Sequence, residues 1–128
     1  MKTLIYVLIP ILFSLNIDFE TETSIAHLAN SGQCQEPEKL KAVEITSTSA
    51  LLDWGGPLRD YYEVEWGSNG FKKGTGTQSN SNTRKLRIEG LTADTPYDYY
   101  VRANCGGTDF TEWVGPYTFV TDKAIDTK

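Results

Sequence analysis

The chain has 128 residues, of which 39% are hydrophobic and 12% aromatic, enough for one domain with a core and little else. Its formal net charge is −5, which points away from nucleic acid, since a phosphate-backbone partner needs a basic footprint. Tyr and Trp outnumber Phe, and together with many Thr and Val residues they favour strands over helices.

Met1-Lys2 gives a short basic start, and Leu4 to Leu15 is apolar apart from Pro10 and Ser14. Twelve helical residues would cover about 18 Å, short of the ~30 Å of a hydrocarbon core. Residues 1–15 therefore read as a secretory signal and not as a membrane span. Cleavage fits near Ser14 to Asn16, or as late as residue 26, after the small-x-small run Ser24-Ile25-Ala26. Gln33 stands where a lipoprotein needs a small residue before its cysteine, so lipidation of Cys34 is not expected. Residues 16–33 are polar, acidic and aperiodic, as in a flexible linker.

Export makes the chain secreted or bound at the cell surface, with the periplasm as the other endpoint. Outside the cytoplasm its two cysteines, Cys34 and Cys105, read as a disulfide. Closing a loop of about 70 residues is worth about 4 kcal/mol by chain entropy.

From Cys34 onward the pattern is short strands with turns between them. The first runs from Lys39 to Thr46 and the second from Ser47 to Trp54, with Ala50, Leu52 and Trp54 on one face. Gly55-Gly56-Pro57 breaks the chain. The third, Tyr61 to Trp66, turns Tyr62, Val64 and Trp66 one way and Tyr61, Glu63 and Glu65 the other. Phe71 to Thr77 reads as a fourth strand, with Lys72 and Lys73 discouraging pairing at an open edge. Asn82 to Ile88 is the fifth; its Arg84-Lys85-x-Arg87 alternates with Leu86 and Ile88, as on a solvated strand face. The sixth, Tyr97 to Cys105, turns Tyr97, Tyr99, Val101, Ala103 and Cys105 inward and Asp98, Tyr100, Arg102 and Asn104 outward. Tyr117 to Thr121 is the last. Several alternating strands without an amphipathic helix predict an all-β sandwich or small barrel. Residues 34–122 form the domain and 123–128 a tail.

Several segments are specific enough to name a family. Pro37-x-x-Leu40, Ser49-Ala50-x-Leu52-x-Trp54, Tyr62-x-Val64-x-Trp66, and Gly90-Leu91 through Tyr97-x-x-x-Val101-x-Ala103 resemble the framework of a fibronectin type III domain. Glu65-Trp66-Gly67 followed by Gly70-Phe71 and Gly74-Thr75-Gly76-Thr77, then Tyr97 through Gly107, and Trp113 with Gly115-Pro116-Tyr117-Thr118-Phe119 resemble its bacterial extracellular variety. One departure is Ala93, where the family commonly has Pro; Pro96 stiffens the same turn. The resemblance implies an immunoglobulin-like sandwich of two antiparallel sheets and about seven strands. It also implies that Cys34 and Cys105 meet at one pole, and that Tyr97 forms a tyrosine corner with backbone a few residues upstream. Trp54 then fills the space between the sheets, with Val64, Leu91 and Val101 in the same core.

Little in the chain points to catalysis, and no cofactor is expected. The single His, His27, lies in the linker, so no nucleophile–base pair or zinc cluster can be assembled around it. Gly74-x-Gly76 lacks the following helix that a phosphate loop needs. Glu63 and Glu65 stand two apart on one strand face, a pairing that glycoside chemistry uses. They read better as an outward, solvated face with Arg102 on the neighbouring strand offsetting charge. Asp94, Asp109 and Glu112 lack calcium-loop spacing.

What remains is surface. Tyr61, Tyr100, Arg102, Phe110 and Trp113 are the candidate binding residues, because Tyr, Trp and Arg concentrate at interface centres. The alternative for Trp113 is a lid folded back on the core. The resemblance implies an adhesion or spacer module with a protein or glycan partner at the cell surface. Carbohydrate recognition and self-assembly through edge strands are the other readings.

Overall fold

The computed structural model describes residues 34–126. The signal reading for 1–15, the linker reading for 16–33 with His27, and residues 127–128 of the tail lie outside the described residues. All regular structure in 34–126 is strand: β1 (Glu38–Val43), β2 (Ser49–Gly55), β3 (Tyr62–Ser68), β4 (Thr77–Ser81), β5 (Lys85–Glu89), β6 (Pro96–Gly106), β7 (Asp109–Phe110) and β8 (Val114–Val120). No helix among the described residues is long and apolar enough to cross a membrane.

One sheet has the order β1-β2-β5, and the other has the order β4-β3-β6-β7 with β8 also on β6. Every pairing is antiparallel. β6 is long enough to pair with β8 along its first part and β7 along its last. The immunoglobulin-like, two-sheet sandwich expected from the alternation is the observed fold. It has eight strands where about seven were expected, because β7 lies in the stretch between the predicted sixth and last strands.

Alternation places the core. Ala50, Leu52 and Trp54 of β2, Tyr62 and Val64 of β3, and Tyr99, Val101 and Ala103 of β6 meet Ile88, Leu91 and Phe119 between the sheets. Trp54 packs edge-on against Tyr62 at 5.3 Å. Two buried phenols reach backbone acceptors: the Tyr62 hydroxyl donates to Pro57 O at 2.6 Å, and the Tyr99 hydroxyl donates to Lys41 O and Asp53 O at 2.8 and 3.1 Å. Tyr99 thereby ties β6 to both β1 and β2 of the other sheet. Burial raises the pKa of both phenols, which keeps them neutral donors.

Cys34 and Cys105 are joined, with Cα atoms 5.6 Å apart, linking the segment that enters β1 to the end of β6. Tyr97, assigned to the core by its position, is only half-buried. Its ring stacks on Phe119 at 5.9 Å and its hydroxyl accepts from Thr92 N–H at 2.8 Å. Thr92 lies five residues upstream, so this is the backbone bond expected of the tyrosine corner, and Tyr97 packs against the edge of the core while Tyr99 is fully buried.

The predicted fourth strand, Phe71 to Thr77, is a correction. Residues 69–76 form a loop, and the strand begins at Thr77. Gly70 and Gly74 have φ of 80° and 97°, values that bend the chain and that L-residues avoid. A Cβ on Gly76 would lie 2.6 Å from both the Phe71 ring and Trp66 O, so only glycine lets the loop fold back there. Lys72 and Lys73 therefore sit on this loop and not along an edge strand. β1 stops at Val43, earlier than expected, because Glu44 turns to φ 45°. β8 starts at Val114, ahead of the predicted Tyr117.

Candidate functional site

The outer face of the larger sheet is built on the β3–β6 register, which sets Glu63 opposite Arg102 and Glu65 opposite Tyr100. Arg102 Nε and Nη2 both reach Glu63 Oε2, at 2.7 and 2.6 Å. The guanidinium carbon then lies 4.2 Å from the Phe110 ring centre and 4.6 Å from that of Trp113. Phe110 contacts Tyr61 edge-on at 5.8 Å. Lys73 Nζ lies 5.6 Å from the Trp113 ring centre and 5.9 Å from that of Tyr100. Tyr100 meets Phe71 edge-on at 5.7 Å.

These contacts make one continuous strip: Tyr61, Phe110, Arg102, Trp113, Lys73, Tyr100, Phe71. Each cation faces two aromatic rings, an attraction of about 0.5–1 kcal/mol per contact where water has access and more where it does not. All five candidate residues named from the sequence, Tyr61, Tyr100, Arg102, Phe110 and Trp113, lie in the strip, each partly exposed. Trp113 is not a lid on the core.

Sequence reasoning missed Phe71 and Lys73, and with them the carboxylates that hold their loop. Glu65, expected in a solvated face, is 1% exposed. Its Oε1 accepts from Gly74 N–H and Gly76 N–H at 2.7 and 2.8 Å. Asp98, also expected outward, is 4% exposed and secures the other end of the loop. It accepts from the Asn69 amide at 2.9 Å, Gly70 N–H at 2.8 Å and the Thr118 hydroxyl at 2.5 Å. Burial alone would raise the Asp98 carboxyl, but those three donors outweigh it and hold the group below the ordinary carboxylate range. Asn104 is buried as well, its amide donating to Gly107 O at 3.1 Å. The available signal was Gly70 and Gly74 bracketing Phe71 to Lys73, a spacing better suited to a loop than to a strand.

Both acids of the Glu63–Glu65 pair are engaged, Glu63 by Arg102 and Glu65 by loop amides. Among the described residues no group of three His, Cys, Asp or Glu side chains could hold a metal ion. What the strip offers is a pre-ordered surface of ring edges and cation-capped faces, able to contact a partner with little further loss of side-chain freedom.

Comparison with known proteins agrees with this architecture. The sequence matches the family model "Fibronectin type III domain" over residues 35–119. Among solved structures, the chain is similar to the fn3 domain of human collagen alpha-1(XX) chain, with a TM-score of 0.63, 18% identity, and coverage of 77% of this chain and 94% of that one. It is similar to the FN5 domain of Drosophila Lar, with a TM-score of 0.55, 23% identity, and coverage of 69% and 96%. The fn3 domain of human contactin 1 gives a TM-score of 0.56, 17% identity, and coverage of 75% and 84%. A search of curated proteins found no match.

Proposed function

This chain belongs to the fibronectin type III family, and from that premise we propose that it is an exported, non-catalytic interaction module. In this reading it serves adhesion or spacing at a bacterial cell surface and holds a protein partner on the outer face of its larger sheet. The observation that carries the proposal is the strip centred on Arg102, where three cation-facing rings and two flanking ones stand partly exposed. A protein partner is favoured over a glycan on physical grounds. Sugars stack on open ring faces, whereas here Arg102 and Lys73 occupy faces of Phe110, Trp113 and Tyr100.

The test compares the two outer faces. Wild type, Trp113→Ala and Arg87→Ala, the last on the smaller sheet, are each used to capture partners from the solubilised envelope of the source cells, with a glycan array in parallel. A ligand kept by Arg87→Ala and lost by Trp113→Ala supports the strip. A glycan hit with that pattern replaces the protein partner by a sugar, and ligands that ignore both substitutions overturn the proposal.

Self-association is a second reading, favoured by β4. This edge strand, Thr77–Ser81, carries no charge, no proline and no register shift, the devices that usually keep edges apart. β5, by contrast, carries Lys85, Arg87 and Glu89, and β1 carries Lys39, Lys41 and a register shift. Sedimentation across a concentration series decides it: a monomer throughout removes the reading.

A further inference from the structure

At the end of the sandwich where the β2–β3 and β4–β5 connections approach each other there is a pocket of about 450 Å³, lined by Trp54, Leu58, Asn82, Arg84 and Lys85 among others. Its volume falls within the roughly 300–1,000 Å³ of small-molecule sites. The strip has no part in it, and nothing in the module reading requires it.

Three properties of the pocket point to one kind of ligand. The first is charge. Arg84 and Lys85 line it, and neither they nor nearby Arg59 form an ion pair among the described residues. Arg84 Nη1 donates to Gly56 O at 2.8 Å, which fixes the guanidinium while leaving its other N–H groups unassigned. The one acid in the lining, Asp53, is already held by Lys41 at 3.3 Å. In a chain of net charge −5, this end is locally cationic.

The second property is an unanswered donor in the lining, with another on the adjoining β2–β3 connection. Trp54, only 2% exposed, has an indole N–H with no acceptor, and the buried Nε–H of Arg59 has none either. Buried donors left unpaired are costly, and their complement is an acceptor-rich group. The third is apolar surface. Leu58 is 74% exposed and shares the lining with Trp54, although a large aliphatic side chain gains from being covered.

From these we infer that the pocket binds a carboxylate carried on a short aliphatic body. The carboxylate faces the Arg84–Lys85 side, where a guanidinium fork matches its two oxygens, and the aliphatic part covers Leu58. Two sources share this chemistry, a free short-chain acid and the C-terminal carboxylate of a peptide ending in an aliphatic residue.

The experiment is a titration of the ¹⁵N-labelled protein, followed through the Trp54 indole N–H and Arg59 Nε–H resonances. The probes are hexanoate, N-acetyl-alanyl-leucine, and the uncharged control hexanol. The expected result is a saturable shift of both resonances with the acids and none with hexanol. Whichever acid binds more tightly identifies the source. Lys85→Gln should weaken binding about threefold and Arg84→Gln about tenfold, consistent with loss of a charge-assisted bond. Arg84→Gln also removes the tie to Gly56, so Lys85→Gln, an exposed residue without that contact, separates charge recognition from loosening of the loop. Added salt should weaken the acids further. Hexanol shifting the resonances as much as hexanoate would mean an apolar cavity only. That outcome, silence from both acids, or undiminished binding by both variants overturns the inference.

Discussion

The two sheets of this sandwich turn their inner faces to one core, yet their outer faces differ in kind. On the smaller sheet the register sets Asp53 opposite both Lys41 and Lys85, and Leu51 opposite Arg87. Its charges pair across the sheet surface: Arg87 with Glu44, both well exposed, and exposed Lys41 with Asp53, which is mostly covered. On the larger sheet the same outward positions hold Glu63, Glu65, Asp98, Tyr100 and Arg102, but the 69–76 loop and the β7 region fold over them. Glu65 and Asp98 become buried acceptors and Arg102 packs against rings. Alternation decides which way a side chain points; what lies over it decides whether it meets water. Exposed ion pairs contribute about 0–1 kcal/mol, whereas covered ones carry desolvation penalties that must be met by real partners.

The core sets the scale for any disturbance of either face. Trp54→Ala removes the largest side chain between the sheets and should destabilise the domain by about 3–5 kcal/mol, measured by urea unfolding. A loss under ~1 kcal/mol would mean that the inner faces are less decisive than the comparison assumes.

Next in size is Asp98, the clearest case of an outward residue made interior by its cover. Asp98→Ala leaves the donors of Asn69, Gly70 and Thr118 without their acceptor and should cost about 2–3 kcal/mol. Its folded pKa is depressed, so the native state takes up a proton less readily than the unfolded chain does. The stabilisation is therefore complete above the unfolded carboxylate value of about 4 and fades as pH falls below it through the lowered folded value. Acid unfolding of wild type and Asp98→Asn should converge in that window; parallel curves would show that Asp98 does not supply the acid sensitivity.

How much of this was legible depends on range. β2, β3 and β6 could be read because each presents one face to the core and repeats an apolar residue every second position. β4 could not: Thr77–Ser81 is a polar edge strand without an apolar alternation, while Phe71-Lys72-Lys73 imitates one. Tyr61, Tyr100, Arg102, Phe110 and Trp113 stood out by residue type. Lys73 and Phe71 did not, because they join the strip only when their loop folds across strands far away in sequence. Glu65 and Asp98 carry the same outward signal as Glu63, and only the loop above them distinguishes buried acceptors from a partly exposed ion pair. The Cys34–Cys105 link follows from there being one pair and a fold that brings both ends to the same pole.

The closest test of the comparison sets one arginine from each face side by side. Arg102→Met keeps the length and apolar stem, removes the cation from Phe110 and Trp113, and leaves the Glu63 carboxylate without its partner. A loss of about 2 kcal/mol is expected. Arg87→Met makes the same chemical change on the smaller sheet, where Arg87 and Glu44 are 43% and 61% exposed. Water and counterions replace that pairing readily, so unfolding should shift by no more than about 0.5 kcal/mol. Added salt should erase even this difference from wild type, while leaving most of the Arg102→Met effect, since screening acts on solvent-facing charges and weakly on covered ones. Equal losses from the two substitutions would mean that the rings around Arg102 exclude too little water to matter, and the two faces would then differ in residue content but not in energy.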